Sequence, residues 1–168
     1  MYKIAIVIPT LNEEKFIAQC LDCVIRQTFP FTAIDLMVVD GGSNDRTKSI
    51  VEKYQKRYSN IRFIHNPGRI QSIAFNIGVE NSDAPYIVRL DAHALYSMDY
   101  IEKCIDGLQN DSQIGNVGGR CNILPFNDTL WAKTNAILNY TRFGIGGSAF
   151  RVGLMRDYVD SVSFGAFL

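Results

Sequence analysis

In Lys3-Ile4-Ala5-Ile6-Val7-Ile8-Pro9-Thr10-Leu11-Asn12-Glu13-Glu14 a near-continuous apolar run ends at a proline and gives way to polar residues. Such a run is expected of a strand covered on both faces. Asn12 is expected to cap a helix, with Glu13 and Glu14 in its first turn beside the positive end of the dipole. Phe16, Ile17, Cys20, Leu21, Val24 and Ile25 then recur at helical spacing, and the Phe29-Pro30 region closes that helix.

Working outward, the same alternation repeats. Ile34 to Val39 reads as a strand, Arg46 to Tyr58 as a helix with Ile50, Val51 and Tyr54 on one face, and Ile61 to Ile64 as a strand. Asn66-Pro67-Gly68-Arg69 is a turn, Ile70 to Val79 a helix, and Tyr86 to Leu90 a strand. Ser97 is the expected cap of a helix from Met98 to Leu108. Alternating strands and helices predict an α/β fold with a mostly parallel sheet. Beyond residue 113 the pattern weakens. A strand is expected within Ile114 to Cys121, a helix over Thr129 to Asn139, a flexible loop at Gly144-Ile145-Gly146-Gly147 and a final strand within Val159 to Phe167.

The 168 residues suit one domain of ordinary globular composition, 47% hydrophobic and 20% charged. Disorder, which needs low hydrophobicity and high net charge, is excluded. Lys plus Arg and Asp plus Glu both number 17, so the basic excess of a general nucleic-acid binder is absent. Cys20 and Cys23 form a C-x-x-C pair, but only His65 and His93 are available to complete a zinc site. The pair falls in mid-helix on an apolar pattern, where buried core thiols are expected rather than a redox motif. The opening apolar run is too short for a signal peptide or a spanning helix, and free thiols fit a reducing cytosol.

In parallel α/β sheets ligands bind at the carboxyl ends of strands. Polar clusters fall at three such ends: Pro9 to Glu13, Asp40 to Asp45, and Asp91 to His93. In the second, Asp40 offers a carboxylate and Gly41-Gly42 allows close backbone approach. The same residues read equally as a glycine-rich turn capped by Asn44 or Asp45. In the third, Asp91 and His93 suit a divalent ion held partly by phosphates, or else a solvated polar loop. Arg69, before a helix N-terminus, suits an anion, or else belongs to an ordinary Pro-Gly turn. Asn76, a mediocre helix former in mid-helix, is expected to turn toward a site or a neighbouring loop.

Taken together, V-I-P-T-L-N-E-E at 7–14, V-V-D-G-G-S-N-D at 38–45, N-P-G-R-I-Q-S-I-A-F-N-I-G at 66–78 and R-L-D-A-H-A at 89–94 resemble a family 2 glycosyltransferase. F-G-I-G-G-S-A-F-R at 143–151 and V-D-S-V-S-F-G-A-F at 159–167 extend the resemblance toward the succinoglycan-biosynthesis branch, which builds bacterial exopolysaccharide. The resemblance implies the GT-A fold, a Rossmann-like, mostly parallel central sheet with helices on both faces. It implies one domain over 1–168, with a nucleotide-sugar-binding part at 1–112 and an incomplete acceptor-side part at 113–168. Pro9, Thr10, Asn12 and Glu13 would line the nucleotide pocket, Asp40 would meet the base with Ser43 beside it, and Arg69 would approach the ribose or phosphates. Asp91-Ala92-His93 stands at the family's Asp-x-Asp motif. Asp91 would contact sugar or ribose, and Asp91 and His93 would hold Mn²⁺ or Mg²⁺. Imidazole brings no negative charge to such a site.

The activity so implied is a hexosyltransferase-type, inverting, metal-assisted transfer from a UDP-sugar to a polysaccharide or lipid-linked acceptor. The expected setting is the cytoplasm, at the inner face of the membrane through peripheral association, with no nucleic-acid partner. The family's general base follows the stretch matching Phe164-Gly165-Ala166-Phe167, and the sequence ends at Leu168. The catalytic acid is therefore expected beyond Leu168, in a part that this chain lacks, and no residue of the chain is assigned as catalytic. The alternative is a nucleotide-sugar-binding module lacking that base. A dinucleotide oxidoreductase is disfavoured. Gly144-x-Gly146-x-x-Ala149 comes late and follows a helical stretch, whereas a phosphate fingerprint follows the first strand.

Overall fold

Ile4, Ile6 and Ile8 pack into one apolar cluster and Ala5 and Val7 into another, the two-sided burial that a central strand imposes on alternate residues. The computed structural model describes residues 3–125, 127–141, 158–159, 162 and 164–168. Among these the strands are β1 (Ile4–Thr10), β2 (Ile34–Asp40), β3 (Ile61–His65), β4 (Tyr86–Arg89), β5 (Asn116–Val117) and β6 (Ala166–Phe167). The helices are α1 (Ile17–Ile25), α2 (Thr47–Gln55), α3 (Gln71–Glu80), α4 (Tyr100–Asn110) and α5 (Leu130–Leu138).

The sheet order is β3-β2-β1-β4-β6-β5. β1 pairs parallel with β2 and β4, and β2 with β3, while β6 runs antiparallel to β4 and β5. One face is covered by apolar residues of α1, α2 and α4, among them Leu21, Val51 and Ile101. The other face carries α3 through Ala74, Phe75 and Ile77. The expected mostly parallel α/β sheet with helices on both faces is therefore what forms. Every residue of β2 is buried, including Asp35. Arg62 answers that carboxylate with two bonds, Nε to Oδ1 at 2.9 Å and Nη2 to Oδ2 at 2.7 Å, so the buried charge is paired.

Several expected boundaries move. Asn12 does not cap α1, which starts at Ile17 behind Phe16, and Glu13 and Glu14 precede the helix. Asn12 is left-handed, with φ 57°, and its polar groups bond the loop after β2 instead. Long-range bonds have displaced the local cap. Ser97 does not cap α4, which starts at Tyr100 after Asp99. The Ser97 carbonyl instead accepts from Tyr100 N and Gln27 Nε2. Of the strands expected within 114–121 and 159–167, only Asn116–Val117 and Ala166–Phe167 are paired among the described residues. The 144–147 loop lies outside them, as does most of the 143–151 motif.

The chain divides into two compact units, residues 1–117 with 164–168, and residues 118–163. The first holds the whole six-stranded sheet. In the second, Thr129 caps α5 by accepting from Ala132 N, and Tyr140 donates to the Ile123 carbonyl at 3.2 Å. Trp131 and Ile137 on α5 are exposed. No helix among the described residues is long and apolar enough to cross a membrane.

Candidate functional site

The sheet order turns back at β1: β2 and β3 extend to one side and β4 joins on the other. A crevice opens at the carboxyl end of such a switch point, the general ligand position in open α/β sheets. The segments after β1, β2, β3 and β4 meet there.

The loops after β1 and β2 are zipped together. The Asn12 amide donates to Ser43 Oγ at 2.8 Å, and Asn12 Oδ1 accepts from the Asn44 amide at 2.9 Å. The Glu13 amide donates to Thr47 Oγ1 at 2.8 Å and the Glu14 amide to Asp45 Oδ2 at 3.0 Å. Asp40, 4% exposed, anchors the second loop. Its Oδ2 accepts from the Gly42 and Ser43 amides, at 2.9 and 2.8 Å, and its Oδ1 from the Thr10 and Ser43 hydroxyls. Gly42 sits at φ 84°, a conformation that glycine adopts without cost.

The third loop follows β4. Asp91 Oδ1 accepts from Gln71 Nε2 at 3.1 Å and from Arg89 Nη2 at 3.2 Å, and the Asp91 amide donates to Tyr96 Oη at 2.7 Å. His93 Nδ1 lies 3.0 Å from Glu13 Oε1 and thereby bridges the loops after β4 and β1. From β3 comes a turn built by Asn66, which is 2% exposed. Its Oδ1 accepts from the Gly68 amide and its Nδ2 donates to the Ile70 carbonyl. This turn holds Arg69 at φ 57°, exposed, just before α3.

The resulting cleft, about 160 Å³, is lined by Pro9, Thr10, Leu11, Glu13, Asn66, Arg69, Ile70, Gln71, Ala74, Asp91, Ala92 and His93. Six residues singled out from the sequence meet here: Pro9, Thr10, Glu13, Arg69, Asp91 and His93. Asn12, Asp40 and Ser43 lie outside the lining and hold the loops behind it. Asn76 is exposed on α3 and does not line the cleft. Leu168, the residue beyond which the general base is expected, directly follows β6 and is exposed, and it too lies outside the lining. Asn66 and Gln71 flank Arg69 in the turn-and-helix cluster read from the sequence, where neither was given a role of its own, and both line the cleft. Their signal was present in N-P-G-R-I-Q, where a polar residue opens a helix beside a strand end.

The donor set suits a divalent cation in part. No described residue bonds Asp91 Oδ2 or His93 Nε2, and both residues line the cleft. A carboxylate oxygen and an imidazole nitrogen are ligand types that Mn²⁺ accepts. Among the described residues no three His, Cys, Asp or Glu side chains form a cage. The remaining positions would fall to phosphate oxygens and water, the usual mode for Mg²⁺ at nucleotide sites. Beneath the cleft, burial pushes the Cys20 thiol up to about 12 and raises the Tyr96 hydroxyl. Cys20 and Cys23 are free, and Cys20 is an inert core thiol, as its apolar position implied.

The sequence profile of glycosyl transferase family 2 matches residues 5–163. The chain belongs to glycosyl transferase family 2. Succinoglycan biosynthesis protein ExoA of Rhizobium meliloti (strain 1021) is 31% identical over 92% of this family member and 46% of its own length. A second relative, from Methanococcus voltae, is 29% identical over 98% of the chain and 52% of its own length. It is the dolichyl N-acetyl-alpha-D-glucosaminyl phosphate 3-beta-D-2,3-diacetamido-2,3-dideoxy-beta-D-glucuronosyltransferase. The chain thus spans about half the length of these curated relatives.

Among solved structures, the mannosyltransferase PcManGT from Pyrobaculum calidifontis, in complex with GDP-Man and Mn²⁺, superposes with TM-score 0.65 at 23% identity. The match covers 82% of this chain and 38% of that one. S. aureus TarS 1-349 in complex with UDP gives 0.63 at 21% identity, over 76% and 38%. The fold of this family 2 member is the GT-A fold.

Proposed function

We propose that this chain binds a nucleotide-sugar, with UDP as the nucleotide and leaving group, and serves transfer of the sugar to a saccharide or lipid-linked saccharide acceptor. The observation that carries the reading is the meeting of Glu13, Arg69, Asp91 and His93 in one cleft at the switch point of the sheet. Arg69 and the N-terminus of α3 offer positive charge and free amides to a diphosphate. Glu13 and Asp91 would repel the same diphosphate, so a cation between them reconciles the two halves of the cleft. A divalent ion held by Asp91 and His93 would neutralise the charge that develops on the departing diphosphate. The chain's own contribution is to position that group: Pro9, Thr10 and Glu13 as wall, Arg69 as clamp, with Asn12, Asp40 and Ser43 keeping the loops in place. The acceptor hydroxyl needs a general base. None of the described residues up to Leu168 is given that role, and the base is assigned to the part of the relatives' length that this chain does not span.

In this reading residues 1–112 bind the donor and 113–168 belong to the acceptor side of one domain. Supporting this, every residue lining the cleft falls between Pro9 and His93. UDP as nucleotide is supported by solved relatives holding UDP or UDP-GlcNAc, and the metal by those holding Mn²⁺ or Mg²⁺. The lipid-linked acceptor is supported by the dolichyl phosphate compound in one relative's name. It would place the work in the cytoplasm, at the inner face of the membrane. Inversion rests on the family resemblance alone.

The test is calorimetric titration of UDP with Mn²⁺ and then with chelator, beside GDP and dTDP. Metal-dependent UDP binding that is weakened in Arg69→Ala is the expected result. Preference for GDP or dTDP would overturn the nucleotide, and binding of none of the three would overturn the donor site.

A further inference from the structure

The Glu13–His93 contact joins two loops that are 80 residues apart in sequence. Glu13 has a side chain only 18% exposed, whereas His93 is 58% exposed. The Glu13 backbone is fixed independently, by its amide bond to Thr47 Oγ1 and by its carbonyl, which accepts from the Phe16 and Ile17 amides. Glu13 is therefore the rigid partner and His93 the side chain that is held. Phe16 adds an edge-on ring contact to His93, with centroids 6.4 Å apart. A carboxylate at Nδ1 selects the tautomer with its proton on that nitrogen and leaves the lone pair on Nε2, which no described residue bonds. This is the arrangement by which a second carboxylate fixes a metal-ligating histidine and makes it a better donor. The opposite side of the site is held in the same way, since Gln71 and Arg89 both occupy Asp91 Oδ1 and leave Oδ2.

We propose that Glu13 is a positioning residue for the metal site. It fixes the Nδ1–H tautomer of His93, so that Nε2 is presented as a ligand, and it returns one shell out the negative charge that an imidazole ligand lacks. This deepens the nucleotide-sugar reading and rests on it.

Two measurements test the proposal on the whole chain. Proton–nitrogen correlation spectra of the metal-free protein report the His93 tautomer: Nδ1–H in the wild type, and a shift toward Nε2–H in Glu13→Ala. Electron paramagnetic resonance with Mn²⁺ and UDP reports the metal. Glu13→Ala is expected to weaken Mn²⁺ about tenfold or more. Glu13→Gln, which keeps an acceptor but loses the charge, is expected to fall between Glu13→Ala and wild type. In a His93→Ala background Glu13→Ala should add no further loss. An unchanged tautomer, wild-type Mn²⁺ affinity in Glu13→Ala, or an equal loss with and without His93 would each overturn the role. UDP binding without any Mn²⁺ requirement would overturn the role and leave the nucleotide reading standing. Absence of UDP binding under every condition would bring down both.

Discussion

Thr10 and Asp40 end neighbouring strands in register, and the Thr10 hydroxyl donates to Asp40 Oδ1 at 3.2 Å. With Ser43 Oγ and the Gly42 and Ser43 amides, this bond fills the four acceptor positions of a carboxylate that is 4% exposed. Asp40 thus ties β1 to the loop that Asn12 and Ser43 lock in place. Its removal strands four donors, so Asp40→Ala is predicted to destabilise the fold by about 2–4 kcal/mol, as expected when a buried charged acceptor is lost. Urea unfolding checks this. A side chain acting only on a bound base would lose nucleotide affinity in the variant and keep its stability.

Gly78 is where α3 meets β1. A Cβ built there would lie 2.3 Å from Val7 Cγ2 and 2.6 Å from Cγ1, inside any tolerable contact. Gly78→Ala gains up to about 1 kcal/mol of helix propensity and suffers overpacking of about 1–3 kcal/mol. The net prediction is destabilisation, because Val7 is fully buried on a central strand and cannot step aside. Adding Val7→Ala should make the double variant less destabilised than the sum of the singles, a coupling that a denaturation cycle measures.

The two acids that clasp the first loops set an acid limit. Arg46 donates its amide and its guanidinium to Glu14 and holds that carboxyl below its ordinary 4.5. Burial pushes Asp45 up, but bonds from the Thr47 hydroxyl and amide and from the Glu14 amide prevail and hold it below 3.8. Both groups are depressed in the folded state. Their stabilisation is therefore present above the ordinary values and is lost as pH falls through the lower folded ones. Both are only partly buried, so solvent screens the effect and keeps it small. Unfolding midpoints should be insensitive to these groups from pH 7 to about 5 and decline below about pH 4.5. That decline should be shallower in the Glu14→Gln, Asp45→Asn double variant.

The strands and the switch point were legible because burial on both faces leaves continuous apolar runs, as in Ile4 to Ile8 and Ile34 to Val39. Residues just past those runs could be placed at the cleft by topology alone, and Pro9, Thr10, Arg69 and Asp91 do line it. What escaped was every feature made by one loop reaching another. Asn12 has the chemistry of a helix cap, yet Ser43 and Asn44 hold it in a left-handed turn. Asp40 has the chemistry of a ligand-binding acid, and its bonds from Thr10, Gly42 and Ser43 also join β1 to the loop after β2, a role with no local signal. Pairing of Glu13 with His93 has no local signal at all, since the two share neither an element nor a spacing.

Arg69 combines an unfavourable backbone with an exposed charge at the cleft. Its φ of 57° costs a side-chain-bearing residue roughly 1 kcal/mol or more, and glycine escapes that cost. Asn66 imposes the conformation by bonding both Gly68 and Ile70. No described residue bonds the Arg69 guanidinium, so none of the described residues accounts for a long cation here. Two substitutions separate backbone from charge. Arg69→Ala removes the cation and keeps the strain, while Arg69→Gly removes both. Both variants should bind UDP with Mn²⁺ at least tenfold more weakly, about the worth of one charge-assisted contact. The glycine variant should be more stable than the alanine variant by about 1 kcal/mol. Calorimetric titration reads the first effect and thermal unfolding the second. Wild-type UDP affinity in Arg69→Ala would remove Arg69 from the diphosphate site. Equal stability of the two variants would mean that the left-handed turn is not held in solution.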